Sequence, residues 1–136
     1  MVEPIFSQSL HHISLATIDA EASARFYETV VGMKRISRPD FSFGGAWLYH
    51  SQGDWQIHLI EREAVNGLPE IIDTQAPHFA LEVKDLDTVE VRLKEYAIAY
   101  KRKRNAAGFE QIFFHDPDGN MIEIGIYSAS RSGADA

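Results

Sequence analysis

Three histidines and one glutamate stand at matched distances along this chain of 136 residues. His12 and His58 are 46 residues apart, and His78 and Glu123 are 45 residues apart. Three imidazoles and one carboxylate suit Zn²⁺, Ni²⁺, Co²⁺, Mn²⁺ or Fe²⁺ better than Mg²⁺ or Ca²⁺. One carboxylate on a divalent ion leaves a positive site, which polarises substrate oxygens and acidifies bound water. The spacing therefore predicts a single metal ion held by these four side chains.

The segments that carry the histidines are repeated. Residues 10–16, followed by Asp19, match residues 77–83, followed by Asp85, and His12 precedes His78 by 66 residues. Asp19 and Asp85 are both favourable helix N-caps. After each aspartate, apolar residues recur at helical spacing: Ala22, Phe26, Val30 and Met33 in the first half, and Leu86, Val89, Leu93 and Tyr96 in the second. This repetition predicts two helices that follow equivalent strands, the first ending near Gly32.

Three strand-like runs follow each predicted helix. They are about 33–36, 46–50 and 56–60 in the first half, and about 100–104, 111–115 and 121–127 in the second. Turn-forming residues separate the runs. The sequence thus predicts an α+β fold, in which two tandem βαβββ modules form a curved eight-stranded mixed sheet with helices on the convex side. We expect one domain over residues 1–136, with modules at about 8–62 and 76–127 and a flexible tail at 128–136.

Strand alternation sets the four candidate ligands apart from the core. Side chains of successive strand residues point to opposite faces. In each of the four strands the candidate ligand lies opposite aliphatic or aromatic residues: Ile13 and Leu15, Ile57 and Leu59, Phe79 and Leu81, and Ile122 and Ile124. The apolar faces suit packing under the helices, and the other faces would line the concave side. We interpret His11, His50 and His115 as surface or hydrogen-bonded residues. Alternation alone does not decide which strand aromatics wall the cavity: Trp47, Tyr49, Phe113 and Phe114.

Composition excludes several classes of function. The chain has no cysteine, so neither disulfides nor thiolate metal sites can form. Its net charge of −7 argues against nucleic acid as a partner. No apolar stretch approaches the roughly 18 residues of a membrane span, and the N-terminus does not resemble a signal peptide, so we expect a cytoplasmic protein without a membrane partner. The basic run at 101–104 is interpreted as a solvated strand or turn, with contact to an anionic part of a substrate as the alternative.

The same residues resemble the vicinal oxygen chelate superfamily, which includes lactoylglutathione lyase, extradiol dioxygenases, fosfomycin-modifying transferases and bleomycin-binding proteins. The resemblance runs from about Leu10 to Tyr127 and is closest to uncharacterised glyoxalase-like members. It is carried by His12-Ile13-Ser14-Leu15-Ala16, Phe26-Tyr27 with Val31-Gly32-Met33, Gln56-Ile57-His58-Leu59, Arg38-Pro39-Asp40-Phe41 with Gly45-Ala46-Trp47-Leu48, and, most specifically, His115-Asp116-Pro117-Asp118-Gly119-Asn120-Met121-Ile122-Glu123-Ile124.

The resemblance implies how the site is built. Metal ligands in the family lie on the first and last strand of each module, which here means His12, His58, His78 and Glu123. Lactoylglutathione lyases usually carry a glutamate at the position of His58. Because this chain has a histidine there, the resemblance leaves Glu123 as the only carboxylate expected at the metal. Family members commonly form homodimers, sometimes with a first module completing the second module of the other copy. We therefore expect a homodimer, and the sequence leaves open whether one chain or two supply the ligands.

The resemblance favours a lyase or isomerase that chelates adjacent oxygens of a small substrate and stabilises an enediolate or enolate. Glu123 is the candidate base, and Zn, Ni, Co or Mn is expected before Fe. The first alternative is an Fe(II) ring-cleaving dioxygenase using His12, His78 and Glu123, although His58 would occupy a position needed by substrate or dioxygen. The second is a non-catalytic protein that binds a drug or metabolite, although such relatives lack the ligands. Fosfomycin transfer is less favoured, because the loop that holds its accessory potassium is not found.

Overall fold

The computed structural model describes residues 2–127, and it has the predicted α+β fold of two tandem modules. The first module comprises β1 (His12–Thr17), α1 (Ala20–Thr29), β2 (Lys34–Ile36), β3 (Gly45–His50) and β4 (Trp55–Glu61). The second comprises β5 (His78–Glu82), α2 (Leu86–Glu95), β6 (Tyr100–Arg104), β7 (Glu110–His115) and β8 (Met121–Gly125). The eight strands form two hydrogen-bonded sheets of four, in the orders β1-β4-β3-β2 and β5-β8-β7-β6. The expected flexible tail at 128–136 lies outside the described residues.

Both helices begin where the sequence places their caps. The Asp19 carboxylate accepts a hydrogen bond from the Ala22 backbone N–H at 3.1 Å, and Asp85 accepts one from Asp87 N–H at 2.9 Å. Each cap residue has an extended backbone, as an N-cap requires. The first helix ends at Thr29, earlier than the apolar spacing suggests, and Gly32 follows with a φ of 77°. That left-handed conformation turns the chain into β2, so Met33 lies in the connection rather than on the helix.

The buried side of α1 differs from the predicted stripe. Ala20, Ser23, Ala24 and Tyr27 are buried, whereas Ala22 and Phe26 are only partly covered. Small residues at the centre of this side allow the helix to approach the sheet closely. The Tyr27 hydroxyl also finds a buried polar partner, which an apolar stripe does not reveal. The buried side of α1 is therefore rotated by about one residue from the predicted apolar stripe.

Strand register makes the two modules equivalent position by position. β1 runs parallel to β4 with Ser14 opposite His58, and β5 runs parallel to β8 with Ala80 opposite Glu123. The strands β4 and β8 are also antiparallel to their other neighbours, so that Trp47 lies opposite His58 and Phe113 lies opposite Glu123. Opposed residues share a face of a sheet. The register thus matches His58 to Glu123.

One hydrophobic core joins the two modules. It includes Ala24 and Tyr27 of α1, Leu48 of β3, and Phe114 and Ile122 of the second sheet, all fully buried. The candidate ligands lie on the opposite faces of both sheets, as alternation predicts. The core therefore packs against one face of each sheet, and the candidate ligands lie on the other face.

A buried aspartate fastens the β7–β8 turn to the first module. Asp116 is fully buried and accepts hydrogen bonds from the Tyr27 hydroxyl and the Asn120 side chain, each at 2.8 Å. Two backbone N–H groups, of Asp118 and Asn120, donate to its other oxygen at 2.9 Å. Gly119, with a φ of 90°, lets the turn approach the Gly67 carbonyl so closely that a Cβ would clash. These contacts hold β8 in place against β1 and α1.

The helices α1 and α2, in the described part of the chain, are too short and too polar to cross a membrane.

Candidate metal centre

The first pair of predicted ligands lies on β1 and β4. The rings of His12 and His58 are stacked, with centroids 3.9 Å apart and planes 13° apart. The exposed fraction of His58 is 9%, and Trp47 stacks on its other face at 4.2 Å. Desolvation by burial, with charge repulsion from His12, His11 and Arg38, lowers the pKa of His58 to about 4. His58 is therefore a neutral imidazole at physiological pH, which is the form that binds metals.

The second pair lies on β5 and β8. His78 Nε2 is 2.9 Å from Glu123 Oε1. The Glu123 side chain is nearly buried, with 8% of its surface exposed, whereas His78 is more open at 28%. Phe113 packs edge-on against the His78 ring at 5.6 Å. The structure thus brings an imidazole and a carboxylate into direct contact at the positions equivalent to His12 and His58.

Hydrogen bonds on the far sides of the rings indicate which nitrogens are available. His78 Nδ1 lies 2.7 Å from the Ala76 carbonyl oxygen, which can only accept, so Nδ1 carries a proton. His58 Nε2 lies 2.8 Å from Gln56 Oε1, an acceptor as well. Histidine ligands usually donate their second N–H in this way, which fixes the tautomer. The nitrogens left for a metal are therefore His78 Nε2 and His58 Nδ1.

The two oxygens of Glu123 have different surroundings. Oε1 faces His78 Nε2, whereas Oε2 accepts hydrogen bonds from Gln111 Nε2 at 2.9 Å and from the Tyr127 hydroxyl. Burial and the hydrogen bond to Glu123 raise the pKa of Tyr127 far above its usual value, so its hydroxyl remains a donor. Oε2 is therefore occupied, and Oε1 is the oxygen that a cation would meet.

A single chain does not gather all four predicted ligands. Within residues 2–127, no three histidine, aspartate or glutamate side chains are arranged around a common metal position. The ligands form two pairs, one on the open face of each sheet. The donor chemistry of each pair fits a divalent transition metal, since such ions bind imidazole nitrogens and carboxylate oxygens.

Several residues that support the site were not predicted from the sequence. Trp47 and Tyr49 of β3 and Phe113 of β7 lie on the ligand faces, whereas Phe114 is buried in the core. Gln111 and Tyr127 hold Glu123. Tyr127 carried one usable signal, because it lies four positions from Glu123 in the predicted strand, whereas nothing in the sequence placed Gln111 on the ligand face. That signal gives the face but not the hydrogen bond.

The three remaining histidines have ordinary contacts. His50 Nδ1 accepts a hydrogen bond from Gly53 N–H at 2.9 Å, as expected of a hydrogen-bonded residue in a turn. The His50 ring stacks on the ring of Trp55. His11 Nδ1 lies 2.8 Å from His12 Nδ1, next to the first ligand pair. His115 is half-buried, and burial lowers its pKa.

Comparisons with known proteins agree with this architecture. Residues 9–124 match the Glyoxalase/Bleomycin resistance protein/Dioxygenase superfamily. The chain is 37% identical over 128 residues to Glyoxylase I 4 of Arabidopsis thaliana, covering 89% of this chain and 72% of that one. It is 28% identical to the glutathione transferase FosA of Serratia marcescens, covering 89% of this chain and 82% of that one.

A solved structure extends the likeness to the fold. The fosfomycin resistance protein FosX of Listeria monocytogenes superposes with a TM-score of 0.73 at 15% identity, covering 90% of this chain and 93% of that one. That crystal structure is of a point mutant in complex with Mn(II) and a dihydroxypropylphosphonic acid. An identity of 15% shows only a shared fold. The family is shown instead by the match to the superfamily over residues 9–124. The chain belongs to the Glyoxalase/Bleomycin resistance protein/Dioxygenase superfamily.

Proposed function

We propose that this protein is a divalent-metal-dependent lyase or isomerase of the glyoxalase type. The observation that carries the proposal is the pairing of ligands at equivalent register positions, His12 with His58 and His78 with Glu123. The relative named Glyoxylase I 4 supports the same class of activity. The chemistry that a bound divalent ion supplies is polarisation of two adjacent substrate oxygens, which stabilises an enediolate or enolate.

The proposed metal has a specific place beside Glu123. His78 donates its Nδ1–H to Ala76 O, and its Nε2 lies 2.9 Å from Glu123 Oε1. Two acceptors at this distance repel each other unless a proton or a cation lies between them. Coordination through His78 Nε2 and Glu123 Oε1 would remove that repulsion. We therefore propose that both atoms are metal ligands.

Glu123 is also the proposed base. Its Oε2 is held by Gln111 and Tyr127, so proton removal from a substrate would require one of these donors to move aside. Burial of the carboxylate raises the strength of its interactions with a nearby substrate proton. Glu123→Gln separates the two roles, since an amide oxygen can still coordinate but cannot take the proton.

The metal site is proposed to be shared between two copies of the chain. Each ligand pair lies on the open face of its own sheet, and each supplies only two of the four ligands. A two-fold dimer that faces the first module of one copy with the second module of the other would form two identical four-ligand sites. The open faces of both modules would then be covered together.

Metal analysis of the protein purified without a histidine tag tests this proposal. We expect about one transition metal per chain, loss of metal in His58→Ala, and no loss in His50→Ala, a histidine of the turn that serves as the matched control. Glu123→Gln should retain much of the metal but lose turnover of the glutathione hemithioacetal of methylglyoxal. Nickel, zinc, cobalt or manganese supports the lyase or isomerase, and iron with oxygen consumption supports the dioxygenase. A chain that binds no metal after reconstitution would exclude both enzymes.

A further inference from the structure

His11 and His12 are neighbours in sequence, yet their side chains meet beside the first ligand pair. His11 directly precedes β1, and its carbonyl oxygen accepts a hydrogen bond from the Gln56 N–H of β4 at 2.9 Å. Its ring lies edge-on to the ring of His58, with centroids 6.3 Å apart, and its Nδ1 is 2.8 Å from His12 Nδ1. Three imidazole rings are thus gathered where the alternation of strand residues predicts two.

The Nδ1 atoms of His11 and His12 point at each other. The ring centroids are 5.1 Å apart and the ring planes are nearly perpendicular, at 87°. This separation exceeds the distance between the two nitrogens by about two ring radii, so both nitrogens lie on the line that joins the ring centres. Two lone pairs that face each other in this way repel, so one nitrogen carries a proton and donates it to the other.

A metal ion shared by these two nitrogens would give a different geometry. Imidazole nitrogens lie about 2.1 Å from a bound zinc ion, and both rings would turn toward that ion. With the nitrogens 2.8 Å apart, the ring centres would then be separated by only about 4.3 Å. The observed separation of 5.1 Å therefore favours a hydrogen bond over chelation. His11 is a hydrogen-bond partner of His12 rather than a further ligand.

The other two candidate imidazoles have the same kind of partner. His78 and His58 each place one ring nitrogen near a carbonyl oxygen, at 2.7 Å and 2.8 Å. A histidine ligand needs such an acceptor, because the proton held on its second nitrogen keeps the lone pair on the first. For His12, the hydrogen bond found within residues 2–127 is the one to His11. His11 thus completes the set of supporting acceptors.

We propose that His11 is a positioning residue, which accepts the Nδ1–H of His12 and thereby reserves His12 Nε2 for the metal. This inference rests on the proposed function, because it takes His12 to be a metal ligand. The bond fixes both the tautomer of His12 and the orientation of its ring, which also stacks on His58. Neutral His11 keeps its own proton on Nε2, where it is accessible to solvent.

Ring packing is the competing explanation for His11. An aromatic ring that lies edge-on to His12 and His58 could support the site by its shape alone. Two substitutions separate the explanations. His11→Phe keeps a ring but has no acceptor, whereas His11→Asn loses the ring and places an amide oxygen close to the position of Nδ1. The two explanations therefore predict opposite orders of metal affinity for these variants.

Competition with a chromogenic chelator gives the nickel affinity of each variant. We expect the dissociation constant of His11→Phe to rise about tenfold, the lower end of the usual range for a lost supporting bond, because the pair is exposed. His11→Asn should keep an affinity close to that of wild type. His50→Phe alters a hydrogen-bonded histidine away from the ligand pair and, as the matched control, should bind nickel as wild type does. The proposal is overturned if His11→Asn binds nickel no more tightly than His11→Phe.

Proton–nitrogen correlation spectra of the zinc-loaded wild type show which nitrogen of each ring carries a proton, whether or not the variants fold. His12 should carry its proton on Nδ1, and coupling across the hydrogen bond should connect that atom to His11 Nδ1. A zinc-bound nitrogen on His11, or a proton donated by His11 to His12, would overturn the proposal while the proposed function stands. If wild type binds neither nickel nor zinc, the proposed function and this inference fail together.

Discussion

His78 Nε2 lies 2.9 Å from Glu123 Oε1 although the other nitrogen of the same ring already donates to the Ala76 carbonyl. The ring is therefore set to meet the carboxylate with a lone pair unless it carries a second proton. A buried carboxylate and an imidazole arranged in this way form half of the proposed metal site, and Gln111 and Tyr127 hold the remaining oxygen. This arrangement leads to the first prediction.

Gln111→Leu should weaken metal binding without removing a ligand. The substitution deletes the hydrogen bond to Glu123 Oε2, so the carboxylate loses part of its fixed orientation, and loss of such supporting bonds typically costs about 10- to 100-fold in metal affinity. Competition with a chromogenic chelator gives the dissociation constant. Gln52→Leu, at an exposed turn, is the matched control and should bind metal as wild type does. Equal affinity of Gln111→Leu and wild type would mean that Glu123 does not depend on this bond, or is not a ligand.

Metal binding should change the fluorescence of Trp47 but not that of Trp55. Trp47 stacks on His58 at 4.2 Å, whereas Trp55 stacks on His50, away from the ligand pair. The chain contains only these two tryptophans, so replacing one with phenylalanine leaves the other as the only source of tryptophan fluorescence. Titration of Trp55→Phe with nickel should therefore retain the fluorescence change, and titration of Trp47→Phe should abolish it. A full response in Trp47→Phe would place the metal away from His58.

Asp116 should make part of the stability depend on pH. Burial raises the pKa of its carboxyl above the ordinary value, because desolvation outweighs the hydrogen bonds from Asn120 and Tyr27. A carboxyl whose pKa is higher in the folded state contributes most at low pH, below its unfolded pKa of about 4, and loses that contribution as the pH rises through the folded pKa. The difference in free energy of unfolding between wild type and Asp116→Asn should therefore fall as the pH increases from about 4.

Urea unfolding at several pH values measures that difference. Asp116→Asn also removes acceptors from buried donors, so we expect it to be less stable throughout, by about 1–3 kcal/mol or more. Asp40→Asn, on an exposed loop, should differ from wild type by a small and nearly constant amount. A difference for Asp116→Asn that grows with pH would show that its carboxyl has a lowered pKa instead.

Sequence patterns predicted the strands, the helix caps and the faces because these depend on local chemistry. Asp19 and Asp85 are caps by virtue of their own side chains, and His58 and Glu123 face away from the core because strand residues alternate. The buried side of α1 was less well predicted, because the contact between Tyr27 and Asp116 links residues that are 89 positions apart. Long-range contacts of this kind have no local signal.

The same limit applies to the candidate site. Alternation placed Trp47 and Phe113 on strands that could wall it, but only the register across β3–β4 and β7–β8 sets each one opposite a ligand. Register depends on the pairing of whole strands, which a single sequence does not specify. The basic run shows the same dependence, since Lys101 and Arg102 are neighbours in sequence but face opposite sides of the sheet.

Mixing two inactive variants tests the shared metal site most directly. One variant carries His12→Ala and His58→Ala, and the other carries His78→Ala and Glu123→Ala, so neither forms a complete site by itself. In a mixed dimer, the intact second module of the first variant meets the intact first module of the other and restores one of two sites. Random mixing of equal amounts should therefore restore about a quarter of the wild-type metal content and activity. Mixed dimers verified by mass spectrometry that bind no metal would contradict a site shared between two copies.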